Sequence, residues 1–343
     1  LGKGLELQLY SFVGSNFMSY FSNPNLETRA PEGWLGTPFD NNGSFVNLNH
    51  PFQPEFSKLL KWQTQKNPQK EIKKADKWLP EVLLDKAFMS SKENCLVWLG
   101  HSSFFIRLDG KGILIDPVMG NASVVPRKVD FPYQNEIGKY AQYLLISHDH
   151  RDHCDVPSLK KVATQNPNLK VLSGLKMSSI LSCVFSSNQI QEAGWYQKYT
   201  IDNDLEIWFL PSRHWSRRSL SDTNKRLWGG FYITSKSGHS FYFMGDSGYD
   251  DHFSAIGHLF PKASFAIMGI GAYSPEWFMH SSHMTPESSW KAFQDTGAEM
   301  FIPMHYATFD LADEPLSEPI QRLKAVGTSA NLLIPTIGQT IWI

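Results

Sequence analysis

"YLLISHDHRDHCD", residues 143–155, decides how this chain reads. It opens as an apolar run of strand length. Its last eight positions hold three histidines (His148, His150, His153) and three aspartates (Asp149, Asp152, Asp155). Crowding such side chains is costly unless they share a ligand, and imidazole with carboxylate is a donor set for metal ions. His148 and His150 are two apart, so on extended backbone they point to the same side. Asp152 and His153 come after the chain turns and can face a second point. The donors are nitrogen and oxygen, with Cys154 a bystander. Such a set suits zinc and accommodates iron or manganese.

Working outward, other apolar runs end the same way. "LEIWFLPSR" (205–213) runs into His214, "SFYFMG" (240–245) into Asp246 and "EMFIPM" (299–304) into His305. Strand ends on a rigid scaffold are where ligands can converge. The candidates are then His148, His150, Asp152, His153, His214, Asp246 and His305. One catalytic zinc takes about three protein ligands, so the surplus argues for two metals sharing a carboxylate, as in two-metal hydrolysis.

The rest of the chain supplies a scaffold. "CLVWLGHSSFFIRL" (95–108), the turn "DGKG" (109–112) and "ILIDP" (113–117) read as successive strands. Further strands are expected at "KVLSG" (170–174), "GGFYITS" (229–235), "SFAIMGIG" (264–271) and "NLLIPTIGQTIWI" (331–343). Helices are expected at "PSLKKVATQ" (157–165), "PESSWKAFQDTGA" (286–298) and "PLSEPIQRLKAVG" (315–327), where Pro near the start and Gly near the end punctuate correctly. The pattern is α+β, layered sheets covered by helices. Residues 1–90 differ in character. Apolar, aromatic "LELQLYSFVGSNFMSYF" (5–21) precedes a Lys-rich helical stretch at 56–83. We read 1–90 as an N-terminal extension packing on a main domain at 91–343; its amphipathic segments also suit a lipid interface.

Composition sets outer bounds. A net charge of −1 gives no electrostatic reason to expect nucleic acid. Three cysteines are too few and too scattered for a disulfide framework. No apolar run is long enough for a membrane-spanning helix. The chain begins Leu1-Gly2, which is compatible with an N-terminal signal or anchor removed ahead of it; localisation, soluble or peripheral to a membrane, stays open. "GDSGY" lacks the second glycine of a nucleophile elbow, and "MGIGAY" lacks the third glycine of a dinucleotide loop.

The ordered set His148-x-His150-x-Asp152-His153, His214, Asp246, His305 resembles the metallo-β-lactamase superfamily. That resemblance implies a four-layer αββα sandwich with a dizinc site at one edge of the sheets. It assigns His148, His150 and His214 to one metal and Asp152, His153 and His305 to the other, with Asp246 bridging. Asp116 of "ILIDP" would support the ligand loop from behind. A closer resemblance lies in "WLGHSSF" (98–104), "PSRHWSRR" (211–218), "WGGFYI" (228–233), "GDSGY" (245–249), "IGAYSPEWFM" (270–279), "HMTPE" (283–287) and "HYATF" (305–309). These words, with "GSFVNLNHPF" (43–52), are similar to the N-acyl-phosphatidylethanolamine-hydrolysing phospholipase D family over residues 43–327. Tyr306 stands where that family usually has tryptophan.

The resemblance implies a dizinc phosphodiesterase that cleaves N-acyl-phosphatidylethanolamine to N-acylethanolamine and phosphatidic acid by a metal-bound hydroxide. Asp246 or Asp152 would orient the hydroxide and take its proton. His283 would bind the transition-state oxyanion or protonate the leaving alkoxide. A phospholipid substrate implies peripheral membrane contact; the oligomeric state, a homodimer included, is left open. His101 and Arg217 are candidate substrate contacts, with Tyr273, Trp277 and Phe278 as walls of an acyl groove. The alternative is a lactonase or small phosphodiester or ester hydrolase on the same scaffold. A redox diiron protein is disfavoured, because His150 stands where such members carry glutamate and no flavin domain is present.

Overall fold

The computed structural model describes residues 8–13, 16–47, 49–52 and 56–343, so the apolar stretch at 5–21 lies only partly within it. The N-terminal segment contributes β1 (Gln8–Val13), β2 (Asn16–Phe21), β3 (Glu27–Thr28) and β4 (Thr37–Asp40). β1, β2 and β4 form a small antiparallel sheet. The Lys-rich stretch folds as two helices, α1 (Phe56–Thr64) and α2 (Lys70–Ala75), interrupted at Asn67-Pro68, where proline cannot continue a helix. A short α3 (Ala87–Ser90) follows.

The next strands are β5 (Cys95–Gly100), β6 (Ser103–Leu108), β7 (Lys111–Ile115) and β8 (Tyr143–Ile146), then α4 (Val156–Gln165), β9 (Lys170–Gly174), α5 (Ser178–Leu181) and β10 (Ile190–Ala193). β5, β6 and β7 are antiparallel neighbours, with β6 and β7 joined through Asp109-Gly110, both at positive φ as a type I′ hairpin turn requires. β7 through β10 are parallel. The C-terminal β17 (Thr340–Trp342) adds antiparallel to β5 and completes seven strands. The expected strand at 331–343 is thus confined to its last residues, with Leu332 making only an isolated bridge to Phe301.

The second sheet contains β11 (Gln197–Lys198), β12 (Leu205–Leu210), β13 (Gly230–Ser235), β14 (Ser240–Phe243), β15 (Phe265–Gly269) and β16 (Met300–Met304), with β3 on its far edge. Helices α6 (His252–Leu259), α7 (Glu276–Met279), α8 (Pro286–Thr296) and α9 (Glu318–Val326) complete the chain. The three helices expected from sequence are α4, α8 and α9. α8 begins on Thr285, whose hydroxyl accepts from the Ser288 amide, and it stops at Gly297, at φ +68.

Period-two alternation explains why the strands look apolar throughout. On β8, Tyr143 and Leu145 pack into the core between the sheets, while Leu144 and Ile146 face a second core with Leu159 and Val162 of α4. On β5, Leu96 and Trp98 likewise point one way and Val97 and Leu99 the other. A sheet covered on both faces has no polar side to show. Two mixed sheets flanked by helices form the αββα architecture. No helix among the described residues is long and apolar enough to cross a membrane.

Candidate metal centre

The expected cluster sits just beyond strand ends: Asp116 after β7, His148 after β8 at the head of the loop that carries His150, Asp152 and His153, His214 after β12, Asp246 after β14 and His305 after β16; His101, expected only as a substrate contact, follows β5. His101, Asp116 and His305 hold φ of 52, 42 and 61°. Non-glycine residues in that region cost about 1–3 kcal/mol each, and such strain gathers at functional sites where packing enforces it. Gly245, at φ +67, lets β14 turn sharply before Asp246; a Cβ there would lie 2.4 Å from the Gly229 carbonyl.

The donors form two adjoining groups. His148 Nε2 and His214 Nε2 lie 2.9 and 3.0 Å from His150 Nδ1. Asp152 Oδ2 lies 3.7 Å from His153 Nε2 and 3.5 Å from His305 Nε2. Asp246 Oδ2 stands between them, 3.0 Å from His305 Nε2, 3.2 Å from His153 Nε2, 3.8 Å from His214 Nε2 and 3.9 Å from His148 Nε2. Tetrahedral zinc with bonds near 2.0–2.1 Å separates its ligand atoms by about 3.3 Å, so these spacings fit ligand shells.

The hydrogen bonds around the cluster fix which nitrogens are free. His214 Nδ1 donates to the Ser282 carbonyl at 3.1 Å, leaving Nε2 as a lone pair. His153 Nδ1 donates to Asp116 Oδ2 at 2.8 Å. Ser147 donates to that oxygen at 2.5 Å, so its Oγ can accept from His148 Nδ1 at 3.0 Å. Asp116 thus sets the tautomer of two imidazoles, one directly and one through Ser147. Meanwhile His153 Nε2 and His305 Nε2, both facing Asp246, are buried without a well-aligned hydrogen bond. Buried polar atoms are rarely left so, and metal ions would satisfy donors of this kind. The buried His/Asp groups suit a binuclear site.

Electrostatics divide the two groups. Burial, reinforced by neighbouring histidines, pushes His148 well below the ordinary imidazole range, and burial also lowers His150 and His214. For His305 burial works the same way, but Asp246 and Asp152 overcome it and raise the ring to about 9. His153 is raised for the same reason, against its burial.

The cluster is closed on most sides. His148, His153, His214, Asp246 and His305 are at most 3% exposed. Asp152 and His283, at 16% and 18%, mark the open side. His283 Nδ1 is 3.9 Å from Asp246 Oδ2, and burial lowers this ring to about 4. His283 follows α7, its amide donating to the Met279 carbonyl.

The expected substrate contacts fare differently. His101 lies inside the cluster rather than on a substrate surface: it is 1% exposed, and its Nε2 is 3.1 Å from Asp152 Oδ2. Arg217 lies 5.8 Å from the Trp215 ring, which meets the His150 ring edge-on and stacks on Phe52. Tyr273 is 3% exposed and its hydroxyl donates to Glu318 at 2.6 Å, so it packs against α9. Trp277 and Phe278 are half-buried against α1, Trp277 beneath Lys61 and Phe278 beside Trp62.

Sequence reasoning missed the clamp around the ligand loop. Arg218 donates to the carbonyls of Asp149 and Cys154 at 2.9 and 2.7 Å, spanning both ends of that loop. Arg226 pairs with Asp149 at 2.6 Å and with Asp222, whose other oxygen accepts from the Arg218 and Ser219 amides. The signal was present in the aspartate between His148 and His150, which has no route to the metal and needs a cation elsewhere.

Comparison with known proteins agrees with this geometry. A family model described as "Beta-lactamase superfamily domain" matches residues 111–306. The N-acyl-phosphatidylethanolamine-hydrolyzing phospholipase D 1 of Caenorhabditis elegans is 31% identical over 84% of this chain and 86% of its own length. The mitochondrial N-acyl-phosphatidylethanolamine-hydrolyzing phospholipase D of Saccharomyces cerevisiae is 30% identical over 71% of this chain and 54% of its own length. Among solved structures, Igni18, a metallo hydrolase from Ignicoccus hospitalis, superposes with a TM-score of 0.55 over 72% of this chain and 97% of its own, at 24% identity. The chain is a metal-dependent hydrolase of the metallo-β-lactamase superfamily, and it belongs to the family of the N-acyl-phosphatidylethanolamine-hydrolysing phospholipases D.

Proposed function

We propose that this protein hydrolyses the phosphodiester bond of an N-acylated phosphatidylethanolamine, releasing N-acylethanolamine and phosphatidic acid. The observation that carries the reading is Asp246 Oδ2, held between two donor groups and within 3.9 Å of His148, His153, His214, His283 and His305. The likeness to two phospholipases D of this specificity supports the lipid substrate.

On this reading His148, His150 and His214 would hold one metal and Asp152, His153 and His305 the other, with Asp246 placed to serve both. Zinc fits the donor set best, with iron and manganese compatible. When bound, the pair supplies an activated water and neutralises charge on the phosphoryl oxygens. The chain's own residues do the rest. Asp246 and Asp152 would orient the attacking water and take its proton on the carboxylate oxygen left free of metal. The water oxygen joins phosphorus as the bond from phosphorus to the ethanolamine oxygen breaks. His283, neutral with its ring held at about 4, would stabilise that departing oxygen from the open side as an N–H donor, and the proton taken from the water would pass to it. His101 holds Asp152 in place from Nε2. Arg217, beside Trp215, is the residue we assign to the lipid phosphate. Residues 1–90 we read as an extension packed on the domain at 91–343; Phe45, 1% exposed in the core between the sheets, supports the packing, and β3 carries the segment into the second sheet.

The test compares substrates on metal-replete protein. N-acyl-phosphatidylethanolamine in mixed micelles should be turned over far faster than soluble lactones or small phosphodiesters. No lipid turnover with full metal content, alongside cleavage of a lactone, would replace this reading with the lactonase one.

A further inference from the structure

Glu314 is a buried carboxylate that the site described above does not use. It is 7% exposed, and burial pushes its carboxyl up. It makes no ion pair among the described residues; Lys73, which acts on it electrostatically, is engaged with Asp310. Burying a carboxylate is costly, and here backbone donors offset the cost. Glu314 Oε1 accepts from the Ala272 amide at 2.6 Å and Oε2 from the Ser274 amide at 3.0 Å. The Asp313 amide returns a bond to the Ser274 carbonyl at 2.9 Å. Between the two gripped amides, Tyr273 donates its hydroxyl to Glu318 at 2.6 Å. Three consecutive residues are thus held by two carboxylates, one just before α9 and one at its start.

The gripped residues join β15 to α7 and lie against the metal centre. A Cβ on Gly271 would meet the His305 carbonyl oxygen at 2.2 Å, so this backbone rests on that of a ligand. Ala272 holds φ of 59°, a conformation that needs outside support in a residue other than glycine. From Ser274 the chain runs into α7, and the Ser282 and His283 amides both close on the Met279 carbonyl at 2.9 Å. Two contacts depend on that placement. The Ser282 carbonyl accepts from His214 Nδ1 at 3.1 Å, and His283 Nδ1 lies 3.9 Å from Asp246 Oδ2. α7 itself is a single turn with no fully buried residue, so core packing does not fix it.

The N-terminal helices steady the same grip from outside. Trp62 Nε1 donates to Asp313 Oδ2 at 3.2 Å and Asn67 Nδ2 to the Asp313 carbonyl at 2.9 Å. Gln69 Nε2 donates to Glu318 at 2.6 Å, on the oxygen that Tyr273 leaves free, and Asp76 accepts from the Ser317 amide at 2.8 Å.

We propose that Glu314 is a positioning residue for His283: its carboxylate fixes residues 272–274 and, through α7, sets where His283 stands relative to Asp246. Glu314 touches neither substrate nor metal. The inference rests on the reading that His283 stabilises the departing oxygen.

Glu314→Gln keeps the size and one acceptor but turns an amide N–H toward one of the two backbone donors. Hydrogen exchange of the metal-replete full chain, read by mass spectrometry, should then rise at residues 270–284 and stay unchanged in the strands. Kinetics compare N-acyl-phosphatidylethanolamine, whose alkoxide is a poor leaving group, with bis(p-nitrophenyl) phosphate, whose phenolate leaves unaided. Displacing a catalytic group by about 1 Å costs on the order of a hundredfold. On the lipid, kcat should fall about ten- to a hundredfold with KM little changed, while the aryl ester stays within about threefold. In a His283→Ala background, Glu314→Gln should add almost nothing. Trp62→Phe, which loosens the grip from outside, should show the same selectivity more weakly and decides the matter if Glu314→Gln does not fold. Unchanged exchange at 270–284, equal losses on the two esters, or full additivity with His283→Ala would overturn the proposal alone. Wild-type rates for His283→Ala, or wild-type protein inert toward the lipid, would remove the reading beneath it and the proposal with it.

Discussion

Asp116 Oδ2 lies 2.8 Å from His153 Nδ1, both side chains wholly buried, and accepts from Ser147 on the same oxygen. A residue at the end of β7 thereby sets the proton position on a ring in the ligand loop after β8. Asp116→Asn keeps the shape but loses the charge and presents an amide that can donate where His153 must. Metal affinity should fall ten- to a hundredfold, the usual cost of losing such a partner. Competition with a chromophoric chelator measures it; unchanged affinity would remove Asp116 from the account.

Ser147→Ala severs only the branch to His148. The expected loss of metal affinity is smaller than for Asp116→Asn. The double variant should be about as impaired as Asp116→Asn alone, because both changes cut one network. Additive losses in the same chelator titration would show that Ser147 acts independently.

His283→Ala should leave two equivalents of metal per chain and lower kcat at least a hundredfold, the range for a positioned acid or base. Elemental analysis beside steady-state kinetics separates the two quantities. Turnover near wild type would remove the role given to His283.

Arg218→Met removes two charge-assisted hydrogen bonds from the ends of the ligand loop. It should cost about 2 kcal/mol of stability, with weaker metal binding alongside. Denaturant unfolding of the metal-free protein isolates the first effect. A stability change below about 0.5 kcal/mol would show that the loop does not depend on this clamp.

Asp222 gives the clamp a pH signature. Burial raises its carboxyl, but the Ser219 amide and Arg226 outweigh it and hold the group at about 2. A depressed folded value stabilises above the unfolded pKa of 3.8 and is lost as pH falls toward 2. Asp222→Asn should therefore be less stable by about 1–2 kcal/mol at pH 7, after discounting for solvent screening. The gap should hold down to about pH 5 and narrow below 4. A gap that widens on acidification would contradict the assignment.

Much of this was legible in the sequence because strand ends announce themselves. An apolar run followed by histidine or aspartate can be read without knowing which strands pair, and His148, His214, Asp246 and His305 were found that way. Layered sheets covered by helices followed from the apolar strands and punctuated helices, and the αββα sandwich from the family resemblance. What stayed hidden depends on distant packing. α6 was not foreseen, and the C-terminal apolar stretch forms a strand only at Thr340–Trp342. Nothing near Tyr273 in sequence reveals that Glu318 takes its hydroxyl, nor does "WLGHSS" reveal that His101 meets Asp152. The clamp joins Arg218 to a loop more than sixty residues earlier, a separation no local pattern reports.

The most direct test is hydrolysis of N-acyl-phosphatidylethanolamine by metal-replete protein in water enriched in oxygen-18, with both products analysed by mass. Attack at phosphorus predicts equal amounts of N-acylethanolamine and phosphatidic acid, with the label in the phosphatidic acid alone and all turnover lost on chelation. Label in the N-acylethanolamine, or no release of either product while the metal is retained, would contradict the account.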